Sequence, residues 1–273
     1  MQSRTQSLID RIHKTLSKSS LVVLALSKIR NQANSIIAAH LGENENSQIN
    51  GEYTVAKAVA PFCRYFIDVG ANRGEWTEHF LDWSPSSIKG VLFEPSHNAF
   101  QVLSKKFTDS RLSLCNIAIG DYTGTAAFIE EPDCGETSSI ATTHIPCEIS
   151  SIEVPISTID AAIKCDGSTI DYLKIDAEGY DFNVLLGANH LLKARKIRFI
   201  QFEYNSSWIS TGHSLRQALD YLDGFGYEVF IIRSSGLHPF SYDRWGDFFR
   251  YSNFFACMTD DHHLIADLIR HEV

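Results

Sequence analysis

No apolar run in this chain is long enough to cross a bilayer. Near the N-terminus the longest is Leu21 to Leu26, well short of the about 20 residues a spanning helix needs. No small-residue cleavage site accompanies it, which argues against a signal peptide. Paired cysteines are missing too. Cys63, Cys115, Cys134, Cys147, Cys165 and Cys257 are scattered with no Cys-x-x-Cys. Several sit in strand-like runs, where a free cysteine behaves as a small hydrophobe, so reduced thiols in a cytosolic protein are expected. A basic stripe is also absent. With 24 Lys and Arg against 33 Asp and Glu, the net charge is −9, which excludes a general nucleic-acid binder. Neither an internal repeat nor a low-complexity tract appears, and 273 residues suit one large α/β domain with an appendage.

The appendage is residues 1–45. Arg4, Arg11, Lys14, Lys18, Lys28 and Arg30 face a single acid, Asp10. Leu8, Ile9, Ile12 and Leu16, then Leu21 to Leu26, Ile29, Ile36 and Ile37, follow an amphipathic helical pattern broken near Ser19-Ser20. This reads as a basic helical extension that packs on the domain or joins a homo-oligomer. A peripheral membrane anchor or a targeting segment is the alternative. Gly42 to Asn50 is the linker.

From Tyr65 onward the pattern alternates. Strands are expected near 64–69, 89–94, 112–117, 170–176, 198–204, 227–232 and 252–258. Helices are expected near 53–60, 75–82, 96–107, 181–193, 213–224 and 260–270. Continuous apolar strands such as Val91-Leu92-Phe93 belong to a parallel sheet covered on both faces, with its ligand at the carboxyl ends. Residues 121–165 break the rhythm and read as a long irregular insertion that walls the acceptor side.

The sharpest motif is Asp68-Val69-Gly70-Ala71-Asn72-Arg73-Gly74, where an apolar strand breaks into a glycine loop before a helix at Glu75. Twenty residues beyond Gly74, Phe93-Glu94-Pro95 ends the next strand in a carboxylate that can accept two ribose hydroxyls. The loop lacks the middle glycine of Gly-x-Gly-x-x-Gly, so a dinucleotide is disfavoured. An acid ahead of the loop suits an amine-bearing ligand, and S-adenosylmethionine (SAM) fits. Asn116, after the third strand, has the donor and acceptor an adenine edge needs, or it serves as a turn-former.

Downstream, Lys174-Ile175-Asp176-Ala177-Glu178-Gly179 carries a strand into a turn, with Lys174 and Asp176 on one side. Phe202-Glu203 brings another acid to the same height. Asp176, Glu178 and Glu203 thus share a rim with Asp68 and Glu94, a crowding that is costly unless a cation, a metal or proton sharing relieves it. The alternative is that Glu178 caps the following helix and Asp176 pairs with Lys174. His97, His144 and His213 read as surface or capping residues, and Asp260-Asp261-His262-His263 as a helix start. Tyr204 and Trp208 either stack on an acceptor or pack in the core.

In this order, Phe66 to Gly74, Phe93-Glu94-Pro95, Ala118-Ile119-Gly120-Asp121, Ser157-Thr158-Ile159-Asp160 and Leu173 to Gly179 resemble the FkbM family of SAM-dependent methyltransferases. Gly51-Glu52 and Phe202-Glu203 match it as well, and the resemblance covers about residues 50–258. It implies a Rossmann-like class I methyltransferase domain over 46–273, with helices on both faces of a seven-stranded, mostly parallel sheet whose last strand is antiparallel. It further implies that Asp68, Gly70, Asn72 and Gly74 hold the methionine part of SAM, with Glu52, Ala71 and Asp176 also among the cofactor-binding residues. Glu94 and Pro95 would take the ribose, and Asn116, Ile117 and Ala118 the adenine. The family acts mainly on hydroxyls of sugars or natural products, so a small glycan or related metabolite is the expected acceptor. A hydroxyl needs help losing its proton. Asp176 is the first candidate base, tuned by Lys174, with Glu203 beside it; a magnesium ion on Asp176 and Glu203 is the alternative. Methylation of nitrogen or of a peptide, and a non-catalytic SAM-binding protein, remain as other readings.

Overall fold

The apolar runs assemble into one twisted sheet. A computed structural model of the chain describes residues 2–129, 139–140, 151–163 and 169–270. They divide into two units, Met1–Leu41 and Gly42–Val273. In the first unit, α1 (Gln2–Leu16) and α2 (Ser20–His40) flank the break expected near Ser19-Ser20, and the Ser19 hydroxyl caps α2 by accepting from Val22 N–H.

In the second unit the strands are β1 (Tyr65–Val69), β2 (Lys89–Phe93), β3 (Leu112–Cys115), β4 (Ala118–Ile119), β5 (Gly124–Ile129), β6 (Ser139–Ile140), β7 (Ser151–Ser157), β8 (Ile170–Ile175), β9 (Ile197–Tyr204), β10 (Tyr227–Arg233), β11 (Gly236–Pro239) and β12 (Ser252–Met258). Its helices are α3 (Glu52–Val59), α4 (Glu75–Trp83), α5 (His97–Lys106), α6 (Ile159–Ala162), α7 (Asp181–Leu186), α8 (Asn189–Lys193), α9 (Trp208–Thr211), α10 (Leu215–Asp223), α11 (Tyr242–Trp245) and α12 (His262–Ile265).

The large sheet runs β11-β10-β12-β9-β8-β1-β2-β3. β3, β2, β1, β8 and β9 are parallel, whereas β12 is antiparallel to both β9 and β10. The fold class is the one expected, with eight strands instead of seven. The extra strand, β11, folds back on β10 through Ser234-Ser235 with Arg233 opposite Gly236. A two-residue hairpin of this kind carries little sequence signal without Asn-Gly or Asp-Gly.

Residues 121–165 correct a second expectation. Their described part is not irregular: β5, β6 and β7 join β4 in a separate four-stranded sheet, ordered β4-β7-β5-β6. Its inner face buries Ala118, Ala126, Phe128, Val154 and Ile156, and the alternation of Ala126 with Phe128 and of Val154 with Ile156 is the period-two signal of a half-buried sheet. Cys134, His144, Cys147 and Cys165 lie outside the described residues. Cys63, Cys115 and Cys257 are free thiols.

Strand alternation sorts the large sheet's two faces. Phe66, Tyr172, Phe199 and Phe255 pack with Trp76 and Phe80 of α4 on one side. Phe202, Phe254 and Tyr204 pack with Trp208 on the other. Tyr204 and Trp208 are therefore core residues, not stacking platforms, both fully buried. Across the first face runs a polar row: Asp68 stands opposite Lys174, and Lys174 opposite Gln201.

Candidate functional site

At the carboxyl ends of β1, β2, β8 and β9 the loops diverge around a cleft of about 680 Å³. Gly70 and Ala71 both donate their N–H groups to the Phe93 carbonyl, at 2.9 and 3.0 Å, and Asp176 N–H bonds the Val69 carbonyl at 3.0 Å. These bonds draw three strand ends together. Gly70 has φ +76°, and a Cβ there would stand 1.8 Å from the Asp176 carbonyl oxygen, so only glycine lets the loops after β1 and β8 meet.

Glu94 is held from both sides. Its Oε2 accepts from Asn72 N–H and its Oε1 from Ser96 N–H, each at 2.7 Å. Asn72 adopts a left-handed φ of 46° to present that amide. Burial pushes the Glu94 carboxyl up to about 7, opposed by the two amide bonds. Each oxygen keeps a second lone pair for a ligand hydroxyl.

A buried cation sits beside this. Lys174 Nζ lies 3.1 Å from Asp176 Oδ2 and 3.7 Å from Asp68 Oδ1, and 5.6 Å from the centre of the Trp76 ring. Burial opposes its charge, yet Asp176, Asp68 and Glu52 outweigh that and hold it above the ordinary lysine value. Asp68 Oδ2 accepts from the Thr77 hydroxyl at 2.5 Å, and burial raises its carboxyl despite Lys174. Glu52 Oε1 accepts from Gln201 Nε2 at 2.8 Å, while Gln201 Oε1 accepts from the Tyr172 hydroxyl at 2.6 Å. Burial raises Glu52 as well.

Glu203 stands at the end of β9, its backbone N–H bonded to Asp181 Oδ1 at 3.1 Å and its Oε1 to Asn205 Nδ2 at 2.5 Å. Burial, then the nearby Asp176, Glu178 and Asp181, push it well above the ordinary glutamate value. Asp181 itself is raised to about 7, chiefly by burial.

The cleft brings together most of the residues singled out in the sequence. Glu52, Gly70, Ala71, Asn72, Glu94, Pro95, Ile117, Ala118, Lys174, Asp176 and Glu203 line it. Three others do not. Asp68 is wholly buried behind the wall, where it partners Lys174 and Thr77. Gly74 faces away, for a Cβ there would meet the Phe107 ring at 2.3 Å and Leu103 at 2.7 Å; its bareness serves the packing of α4 against α5. The Asn116 amide is turned onto the carbonyls of Glu94 and Pro95, at 2.8 and 3.1 Å, and braces that turn.

Sequence reasoning missed Trp76, Tyr53 and the Phe249–Tyr251 segment, which also line the cleft. Trp76 occupies the first turn after the glycine loop, a position that could have flagged it. Asp247, which pins the last segment, gives no sequence signal. Its Oδ1 accepts from the Tyr204 hydroxyl at 3.0 Å and from Leu215 N–H at 2.6 Å, and its Oδ2 accepts from the Tyr242 hydroxyl. The Asp260-Asp261-His262-His263 run serves structure: Asp261 pairs with Arg198 and His262 meets Glu228.

The sequence model described as "Methyltransferase FkbM domain" matches residues 68–229, well over half of the chain. The chain belongs to the FkbM methyltransferase family. A search of curated proteins returned no significant match. Among solved structures, the FkbM methyltransferase from Methylobacillus flagellatus KT is 17% identical, with TM-score 0.46, over 71% of this chain and 43% of that one. This chain thus spans less than half of that relative. A TehB-like SAM-dependent methyltransferase from Corynebacterium glutamicum is 12% identical, with TM-score 0.43, over 86% of this chain and 99% of that one. The plantazolicin methyltransferase BpumL, solved with SAH, is 10% identical, with TM-score 0.41, over 82% and 90%.

The cleft of this FkbM-family chain carries groups that complement SAM. Asn72 Oδ1 and Trp76 Nε1 are buried with no hydrogen-bond partner among the described residues. One is an acceptor and the other a donor, the complement of an α-ammonium and a carboxylate. Among the described residues no group of three or more His, Cys, Asp or Glu could hold a metal ion, so the geometry gives a magnesium site no support.

Proposed function

We propose that this chain is a cytoplasmic SAM-dependent O-methyltransferase acting on a hydroxyl of a small glycan or related metabolite. The observation that carries the reading is Asp176, a carboxylate at the tip of β8 whose side chain is 37% exposed and anchored by the buried Lys174 ammonium. SAM, when bound, supplies an activated methyl group. Glu94 would accept the ribose hydroxyls on its remaining lone pairs, with Pro95 beside it. Asn72 Oδ1 would accept from the ammonium and Trp76 Nε1 would donate to the carboxylate. Ile117 and Ala118 would lie against the adenine.

On the acceptor side, Asp176 receives the hydroxyl proton while Lys174 fixes its orientation. Lys174 is therefore a positioning residue. Glu203, at the end of β9 in the same cleft, is the second candidate for the proton. Tyr53, Phe249 and Tyr251 with Asn205 combine aromatic faces and polar groups around the same cleft, a mixture suited to a sugar ring.

Asp176→Asn tests the assignment. SAM binding measured by calorimetry should persist, while turnover on hydroxylated acceptors falls by about 10²–10⁴-fold, the usual worth of a positioned base. Retained turnover would remove Asp176 from that role.

A further inference from the structure

We infer that Met1–Leu41 is a docking module for an anionic lipid surface. Ile9, Ile12 and Leu16 of α1 are all exposed and recur at helical spacing, so they form one apolar face. Arg11 and Lys14, also exposed, fall on the far side at 100° per residue. In α2 the exposure is greater: Leu21, Leu24, Ile29 and Ile36 are between 57% and 77% exposed. Helices of this kind gain their stability by covering an apolar face.

Charge and shape identify what covers it. Six Lys and Arg face one Asp in residues 1–41, leaving 18 basic and 32 acidic residues in the rest of the chain. A positive module on an acidic protein complements anionic headgroups, and the like charge of a second module repels it. The apolar residues Leu21 to Leu26 are consecutive, so they encircle the helix. The boundary of headgroups and acyl chains accepts such apolar side chains beside basic ones. Among the described residues no helix is long and apolar enough to cross a membrane, so the module lies in the interface.

Co-sedimentation of the full chain with phosphatidylcholine vesicles, with and without phosphatidylserine, tests this. Binding that requires phosphatidylserine and weakens with salt supports the inference. Arg11→Glu with Lys14→Glu should weaken it about fivefold or more for each cation removed, and Ile12→Asp with Leu24→Asp should abolish it. SAM affinity and melting of the second unit, unchanged in both variants, show that the protein remains folded. No preference for phosphatidylserine would overturn the inference. So would a stable dimer by light scattering that the apolar variants convert to monomer, for the face would then belong to a second copy.

Discussion

Lys174→Met should cost more stability than any surface change, and the cost should depend on pH. The ammonium is buried, 3.7 Å from Asp68 and 3.1 Å from Asp176. At an effective dielectric constant of about 20, each contact is worth on the order of 4–5 kcal/mol before desolvation. Asp176 is partly open to water and contributes less, whereas Asp68 is sealed. Removing one partner of a buried pair typically costs about 3–5 kcal/mol. For a domain of this size that lowers the melting temperature by about 6–20 °C.

The sign with pH follows from Asp68. Its carboxyl is already raised by burial, with Lys174 opposing the rise, so losing Lys174 raises it further. A carboxyl raised by folding favours the fold at low pH and disfavours it as pH climbs through the folded-state value. The deficit of Lys174→Met should therefore be widest near pH 8 and narrow toward pH 5 in urea titrations. Adding Asp68→Asn should recover most of it, because the unpaired charge is gone. A deficit below about 1 kcal/mol at pH 8, or one that ignores pH, would refute the claim that Lys174 compensates buried charge.

Glu94 gives a second pH test. With its carboxyl near 7, and the ionised form needed to accept ribose hydroxyls, SAM affinity should fall as pH drops below 7, approaching tenfold per unit. Glu94→Gln should flatten that profile and also destabilise the fold by about 1–3 kcal/mol, since one of the amides of Asn72 and Ser96 would then face an NH₂ group. Calorimetry across pH checks the first effect and denaturation the second. Asp247→Ala should free the Phe249–Tyr251 wall. The acceptor KM should rise several-fold with SAM affinity unchanged, which steady-state kinetics and calorimetry separate.

The parallel strands were legible because each is a run of large apolar residues closed by Gly, Asn or a carboxylate, as in Phe66 to Gly70. β11 was not, since Gly236-Leu237-His238-Pro239 is too short to show a period and its partner is set by a two-residue turn. The small sheet was half legible: Thr125 to Ile129 alternates, but β4 and β6 are two residues each. In the site, residues that touch the cleft through backbone or strand ends were found by motif. Asp68 and Gly74 share the motif but face the other way, and Asn116 braces the turn after β2. A pattern of residue types fixes which residues lie in a loop, whereas the side of the loop each one faces is decided by α4, α5 and the β2–α5 turn packing behind it.

The crowding of carboxylates at the sheet's end meets two different solutions. On β1 and β8, Lys174 sits among Asp68, Asp176 and Glu52, and its charge keeps Asp176 company at the cleft. On β9 the largest charges acting on Glu203 are carboxylates. Asp176, Glu178 and Asp181 all act on it in the same direction as burial and raise its proton affinity. The two ends of the cleft thus hold a carboxylate beside a fixed cation and one whose proton affinity is raised by burial and like charges. If Asp176→Asn leaves residual turnover, its pH profile should be governed by Glu203, and adding Glu203→Gln should remove that dependence. A residual rate indifferent to Glu203→Gln would show that the second carboxylate balances charge without handling the proton.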